Sequence, residues 1–144
     1  MRRIPHLLVS SLLLAACAPE PEPTEDPVRP IATVMEVMDA VTIPASDEVW
    51  LAAAEPPETE EEWEAVRHAA LALAESGNLL LMEGRTLDRD EWITETIEFI
   101  DAAVLAVEAA AARNLNELIE AGDAIYDTCL SCHQIYMHPQ YNEP

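Results

Sequence analysis

Residues 115–137 have the sequence LNELIEAGDAIYDTCLSCHQIYM, in which apolar residues recur every three or four positions. This spacing is typical of a long amphipathic helix. The apolar face ends in a pair of cysteines and consists of Leu118, Ile119, Ala121, Ile125, Cys129 and Cys132. Pro139 would stop the helix, because proline has no amide hydrogen to donate. The sequence therefore predicts a helix from about Leu115 to Met137 that carries two cysteines near its end.

The end of this helix carries the motif Cys129-Leu130-Ser131-Cys132-His133. Two thiols at this spacing can add to the two vinyl groups of a haem, and the adjacent imidazole can reach the iron. Two alternatives use the same cysteine pair: a thioredoxin-like redox pair needs a βαβ context, and a zinc site needs further Cys or His residues at ligand spacing. Neither context is visible in the sequence. We therefore predict one covalently bound haem c.

The segment from Ile31 to Ala54 also has helical spacing, but Pro44 interrupts it. Before the proline, one apolar face is predicted to contain Ile31, Val34, Met35, Met38 and Val41. Proline removes a backbone hydrogen bond and clashes with the preceding turn. We therefore expect a first helix that is kinked at Pro44, or two short helices that meet there.

Two more helices are predicted between this segment and the last helix. Thr59 and Glu62 have the spacing of a capping box, which predicts a helix that ends near Met82. Asp88 or Asp90 can cap the next helix. No segment shows strand alternation, so the fold class is all-α. Four helices with short connections favour an antiparallel up-down-up-down bundle over residues 31–138, followed by a tail at 139–144. In that topology His133 lies at the same end as the start of the first helix.

The first residues resemble an export signal. Arg2 and Arg3 precede an apolar run that is too short to remain in a bilayer as a spanning helix. The run ends in Leu14-Ala15-Ala16-Cys17, which resembles the lipobox of bacterial lipoproteins. We expect residues 1–16 to be a lipoprotein signal peptide and Cys17 to be lipidated, with cleavage by an ordinary signal peptidase as the alternative. Residues 17–30 alternate proline with acidic residues and are predicted to form an extended tether. The expected location is therefore the periplasmic or cell-surface side of a bacterial membrane.

The chain is strongly acidic and of single-domain size. It has 144 residues, of which half are hydrophobic, and 28 acidic residues against 7 arginines and no lysine, for a formal net charge of −21. Such a surface repels nucleic acid and favours a partner with a basic patch. The alternative is a solvated acidic face that keeps the protein soluble in saline surroundings.

Together, the four helices and the motif on the last helix resemble the class II c-type cytochromes, the family that includes cytochrome c-prime. The resemblance covers roughly residues 31–138 and implies that Cys129 and Cys132 are the thioether anchors and His133 the proximal iron ligand. In this family the first helix supplies a methionine to the sixth iron position or leaves that position open. The interrupted first helix, with Pro44, departs from the family's plain bundle.

Met38 is the predicted distal ligand, with Met35 as the second choice. The alternative is that both are core methionines and the iron is five-coordinate. Arg85 is predicted to contact a haem propionate, with a solvated loop arginine as the alternative. Tyr126 and Tyr136 are predicted to pack on the porphyrin edge, and both are also compatible with a surface position.

The leading hypothesis is a membrane-anchored carrier of single electrons, because no catalytic constellation stands out in the sequence. A His/Met pair suits this role, since a thioether raises the reduction potential relative to two histidines. The alternative is a five-coordinate haem protein that binds small gases such as NO or CO. A third is a structural lipoprotein that never receives haem. The oligomeric state stays open, and a homodimer is compatible with the sequence.

Overall fold

A computed structural model describes residues 28–137 of the chain. Outside the described residues lie the predicted signal peptide (1–16), the predicted lipidation site Cys17, residues 18–27 of the predicted tether, His138 and the predicted tail (139–144).

The described part of the chain forms four helices and contains no strand. Helix α1 has three consecutive parts, an α-helical turn Val34–Val37, a π-helical segment Met38–Thr42 and an α-helix Ile43–Ala54; α2 is Glu60–Leu80, α3 is Glu91–Ala112 and α4 is Leu115–Tyr136. Neighbouring helices pack against one another as in a helical bundle. The all-α prediction is therefore confirmed. Within residues 28–137 no helix is long and apolar enough to span a bilayer.

Helix α1 passes through Pro44 without a break. Its irregular part is the π-helical segment Met38–Thr42, which ends two residues before the proline. In a regular α-helix the proline ring would clash with the carbonyl four residues earlier, and the wider π turn relieves that clash. The alternative of two separate helices that meet at Pro44 is therefore wrong.

The apolar face predicted for the first half of α1 is correct only in part: Val34 and Met38 are partly buried, but two other members are exposed. Ile31 precedes the helix and is 83% exposed, and Met35 is 60% exposed, whereas Val37 is only 2% exposed. The prediction assumed α-helical spacing, but a π turn closes over five residues instead of four. Every residue before the π segment is therefore rotated around the helix axis by about one position. As a result, Val37 occupies a buried position in the core.

The starts of α2 and α3 are fixed by side-chain caps. The predicted capping box is present, because Thr59 Oγ1 accepts from the amide of Glu62 while the Glu62 carboxylate accepts from the amide of Thr59. For α3, Asp88 Oδ1 accepts from the amides of Glu91 and Trp92 at 3.0 and 3.2 Å. The two predicted candidates for this cap were Asp88 and Asp90, and the side chain of Asp88 provides it.

Two apolar clusters fill the interior. The larger cluster draws on all four helices and is rich in alanine; its fully buried members include Ala70, Leu73, Ala103, Ala106, Leu118 and Ile125. Gly77 lets α2 and α3 come close together, since a Cβ there would overlap the Ile100 side chain. The smaller cluster consists of Val37, Leu80, Trp92 and Tyr136.

Two hydrogen bonds tie together the start of α1, the loop between α2 and α3, and the end of α4. Arg85 Nε donates to the carbonyl of Ala32 at 2.8 Å. The Tyr136 hydroxyl donates to Asp88 Oδ2 at 2.6 Å. Because Cys132 and His133 lie in the last turns of α4, we call this the motif end of the bundle. At the other end, Arg113 forms an ion pair with Glu60.

Candidate haem cavity

A partly open cavity of about 250 Å³ lies at the motif end. All four helices line it, α1 and α4 with the most residues. Its lining includes the predicted site residues Met38, Tyr126, Cys129, Cys132 and His133. The fold therefore brings the Cys-x-x-Cys-His motif of α4 and the preferred methionine of α1 to one cavity.

Both motif cysteines are free and partly buried. The α-helix places them three residues apart and therefore on one face. Burial raises the pKa of the Cys129 thiol. Burial, followed by the negative charges of Glu95 and Cys129, raises the pKa of Cys132 to about 11. Redox-active and metal-binding cysteines have lowered pKa values, because the thiolate is their reactive form. These two groups are instead protonated thiols at neutral pH.

Cys129 and Cys132 pack against different parts of the interior. Cys129 contacts the larger cluster, whereas Cys132 contacts the smaller cluster. The cavity therefore lies between the two clusters. His133 follows in the last turn of α4 and is solvent-exposed at the cavity wall.

Met38 and Met35 differ sharply in their surroundings. Met38 is partly buried, lines the cavity and packs against the smaller cluster. Met35 is largely exposed and is not among the cavity residues. Only the first of the two candidate distal ligands therefore shares a cavity with His133.

Arg85 contradicts one of its two predicted alternatives. It is only 6% exposed, so it is not a solvated loop arginine. Its Nε donates to the Ala32 carbonyl, and its Nη1 donates to the Leu79 carbonyl at 2.7 Å and to Met82 Sδ at 3.1 Å. Arg85 does not line the cavity. It clamps the α2–α3 loop to the start of α1, and its contact with a propionate stays a prediction.

The two tyrosines have separate roles. Tyr126 is 56% exposed, lines the cavity and meets the Trp50 ring edge-on at a centroid distance of 6.4 Å. Tyr136 is buried against Trp92 and is not a cavity residue. Burial and the hydrogen bond to Asp88 both raise the pKa of Tyr136. Of the two predicted packing residues, the fold thus brings Tyr126 to the cavity and uses Tyr136 to fasten the end of α4.

The polar groups of the cavity wall are mostly engaged within the protein. Four serine and threonine hydroxyl groups line it, and each donates its hydrogen to a helix carbonyl or to Ser76; they belong to Thr42, Ser46, Thr96 and Thr128. The remaining lining is largely aromatic, aliphatic or sulfur-containing, with Trp50, Leu80 and Phe99. Such a wall favours a largely apolar ligand over a polar one.

Glu95 is a cavity residue that was not predicted from the sequence. Its Oε2 atom is buried and has no hydrogen-bond partner among the described residues. The sequence does contain a sign of it, because Glu95 lies three residues after Trp92 and four before Phe99, on the apolar face of α3. A carboxylate at such a position is costly without a partner.

No zinc-type cluster accompanies the cysteines. In the described range, residues 28–137, no group of three or more His, Cys, Asp or Glu side chains is arranged to hold a metal ion. His68 lies on α2 beside Glu64, with most of its side chain exposed. It does not line the cavity.

No protein-family model matches the chain, and no curated protein or solved structure matches it either.

Proposed function

We propose that the chain is an extracytoplasmic c-type cytochrome that carries single electrons on one covalently bound haem c. Cys129 and Cys132 would hold the haem by thioether bonds, with His133 as the proximal and Met38 as the distal iron ligand. The observation that carries this proposal is the single cavity shared by the motif and Met38. The bound haem would supply the iron that cycles between the ferric and ferrous states.

The state of the cysteines supports thioether formation. Addition to a vinyl group uses the thiol together with its hydrogen, and burial, which raises the pKa of both groups, further favours that protonated form. A thioredoxin-like pair needs the opposite shift, since it acts through a thiolate.

A haem held in this cavity would have an edge that reaches solvent. Its volume of about 250 Å³ is slightly below the range of ~300–1,000 Å³ for typical ligand sites. A porphyrin would therefore fill the space between the two clusters and extend through the mouth, where Ile43 and Tyr126 are exposed. An accessible edge shortens the path of an electron to a partner.

We further infer an antiparallel up-down-up-down order of the helices. Trp92, at the start of α3, donates to the Leu80 carbonyl at the end of α2 at 2.9 Å. Arg113, directly after α3, pairs with Glu60 at the start of α2. These contacts support opposite directions for α2 and α3, as expected for helices with short connections. The resemblance to class II c-type cytochromes implies the same order.

The partner is proposed to be a redox protein with a basic docking patch. Exposed acidic residues adjoin cavity residues along the chain: Asp39 follows Met38, Asp47 follows Ser46, and Asp127 follows Tyr126. Negative charge near the mouth would attract a basic surface and speed association. The contact should weaken as salt is added. Lipidation of Cys17 would keep the carrier at the membrane that holds its partner.

One observation favours gas binding as the second candidate function. Met38 packs against the smaller cluster, which is the usual position of a core methionine. If its sulfur stays there when haem is bound, the sixth iron position remains open to NO or CO.

The test uses the full chain matured with haem. A haem stain after denaturing electrophoresis should show covalent attachment, and Cys129→Ala with Cys132→Ala should abolish it. The ferrous protein should be low-spin and unaltered by carbon monoxide. Met38→Ala should become high-spin and bind carbon monoxide, while the matched variant Met35→Ala should behave as wild type. A colourless wild-type protein would refute the cytochrome, and a high-spin one that binds carbon monoxide would support the gas-binding alternative.

A further inference from the structure

The π-helical segment of α1 changes which residue faces the core. Val37 and Thr42 are 2% and 5% exposed and lie five positions apart, on one face of the helix. The amide of Ile43 donates to the Met38 carbonyl, which is the π-helical pattern. In an unbroken α-helix, Met38 would lie beneath Thr42, because it is four residues earlier. The π turn puts Val37 there instead.

This shift decides the position of Met38. Val37 joins Leu80, Trp92 and Tyr136 in the smaller cluster. Met38, one residue further around the helix, is turned aside and lines the cavity. The candidate iron ligand therefore owes its position to a local departure from α-helical geometry. Such π-helical turns occur frequently at functional sites.

Two features hold the π segment in place. Pro44 disfavours a regular α-helix because its ring would clash with the carbonyl of Ala40. The Thr42 hydroxyl is 3.0 Å from Ser76 Oγ on α2 and 3.4 Å from the Val37 carbonyl. Ser76 donates its own hydrogen to the Leu73 carbonyl at 2.7 Å. Ser76 must therefore accept from Thr42, so the threonine hydrogen is committed to the bond between the two helices.

We propose that Thr42 is a positioning residue for the distal iron ligand. Its hydroxyl bond to Ser76 anchors the π segment of α1 to α2 and keeps Met38 in the cavity that His133 also lines. This inference rests on the proposed haem with Met38 as its ligand. Thr42 itself does not act as a ligand; it acts through the register of the helix.

The experiment compares haem-loaded full-length variants in which Thr42 keeps or loses its hydroxyl. Thr42→Val should increase the ratio of open to Met38-bound iron by roughly tenfold, the upper end of what one net hydrogen bond contributes. The readouts are the high-spin fraction of the ferrous spectrum and its carbon monoxide binding. Thr42→Ser restores the hydroxyl and should restore the wild-type spectrum. Ser76→Ala removes the same bond from the α2 side and should reproduce Thr42→Val.

Thr59→Val is the matched control, because it removes the hydroxyl of a structural threonine at the far end of α2. That helix has 21 residues and is therefore about 30 Å long. The control should lower stability and leave the spectrum unchanged. The inference is overturned if the wild type is low-spin and neither Thr42→Val nor Ser76→Ala binds carbon monoxide more readily than the wild type, or if Thr59→Val increases carbon monoxide binding equally. A wild type without haem, or one already high-spin, overturns the proposed Met38 ligation and this inference with it.

Discussion

The raised pKa of Cys132 gives a quantitative test of the cavity without any haem. The pKa moves from an ordinary value of 9.0 to about 11, first because of burial and then because of the charges of Glu95 and Cys129. Since only the thiolate is nucleophilic, a shift of two units lowers the reactive fraction at neutral pH by about 100-fold. A haem-free chain with Cys17→Ser and Cys129→Ala isolates this thiol, although it also removes the smallest of the three causes.

The assay follows alkylation of Cys132 by iodoacetamide across pH, with mass spectrometry as the readout. Restricted access slows alkylation at every pH, so the position of the inflection is diagnostic and the absolute rate is not. In the folded chain the rate should still be rising above pH 10, whereas the same chain in denaturant should show the inflection near 9.0. A folded-state inflection no higher than that in denaturant would refute the burial effect, and one clearly below it would favour a thiolate chemistry of the Cys-x-x-Cys pair.

Three further predictions address the bundle and its anchor. Trp92→Phe should lower the free energy of unfolding by about 1–2 kcal/mol in urea titrations, because the Leu80 carbonyl loses its donor. The Tyr136 hydroxyl, followed by the amides of Trp92 and Glu91, lowers the pKa of Asp88. The stability that this carboxylate contributes is present above its unfolded value of 3.8 and is lost as the pH falls through its lower folded value. Asp88→Asn should therefore flatten the acid side of the stability curve; an unchanged curve would contradict the assignment. Cys17→Ser should move the protein from the membrane to the soluble fraction, and a variant that stays with the membrane would contradict lipid anchoring.

Local features of the sequence correctly predicted helix starts and the residues that share a helix face. Thr59 and Glu62 lie within one turn of each other, so the capping box at the start of α2 needed no tertiary information. The motif cysteines share a face simply because they are three residues apart on a helix. The choice of Met38 over Met35 came from its distance along the helix, and the structure brings it to the cavity.

Features that depend on packing between helices were not predictable in the same way. The apolar face of α1 was predicted only in part, because the π segment is supported by a hydroxyl on α2, 34 residues away in sequence. The burial of Arg85 could not be predicted, because its carbonyl partners Ala32 and Leu79 become neighbours only in the fold. Glu95 was overlooked because a single acidic residue on an apolar helix face is visible only when that face is known.

Under the proposed function, a haem in the cavity between the two clusters should affect the stability of the motif end. Cys129 packs against the larger cluster and Cys132 against the smaller cluster. A haem fastened to both would connect them, whereas the haem-free chain has to keep them in register through α-helical backbone and a few hydrogen bonds. A group bound to the folded state alone stabilises that state. When haem is absent, the motif end should therefore lose its protection against hydrogen exchange before the opposite end, where Arg113 pairs with Glu60. The difference should disappear when haem is attached.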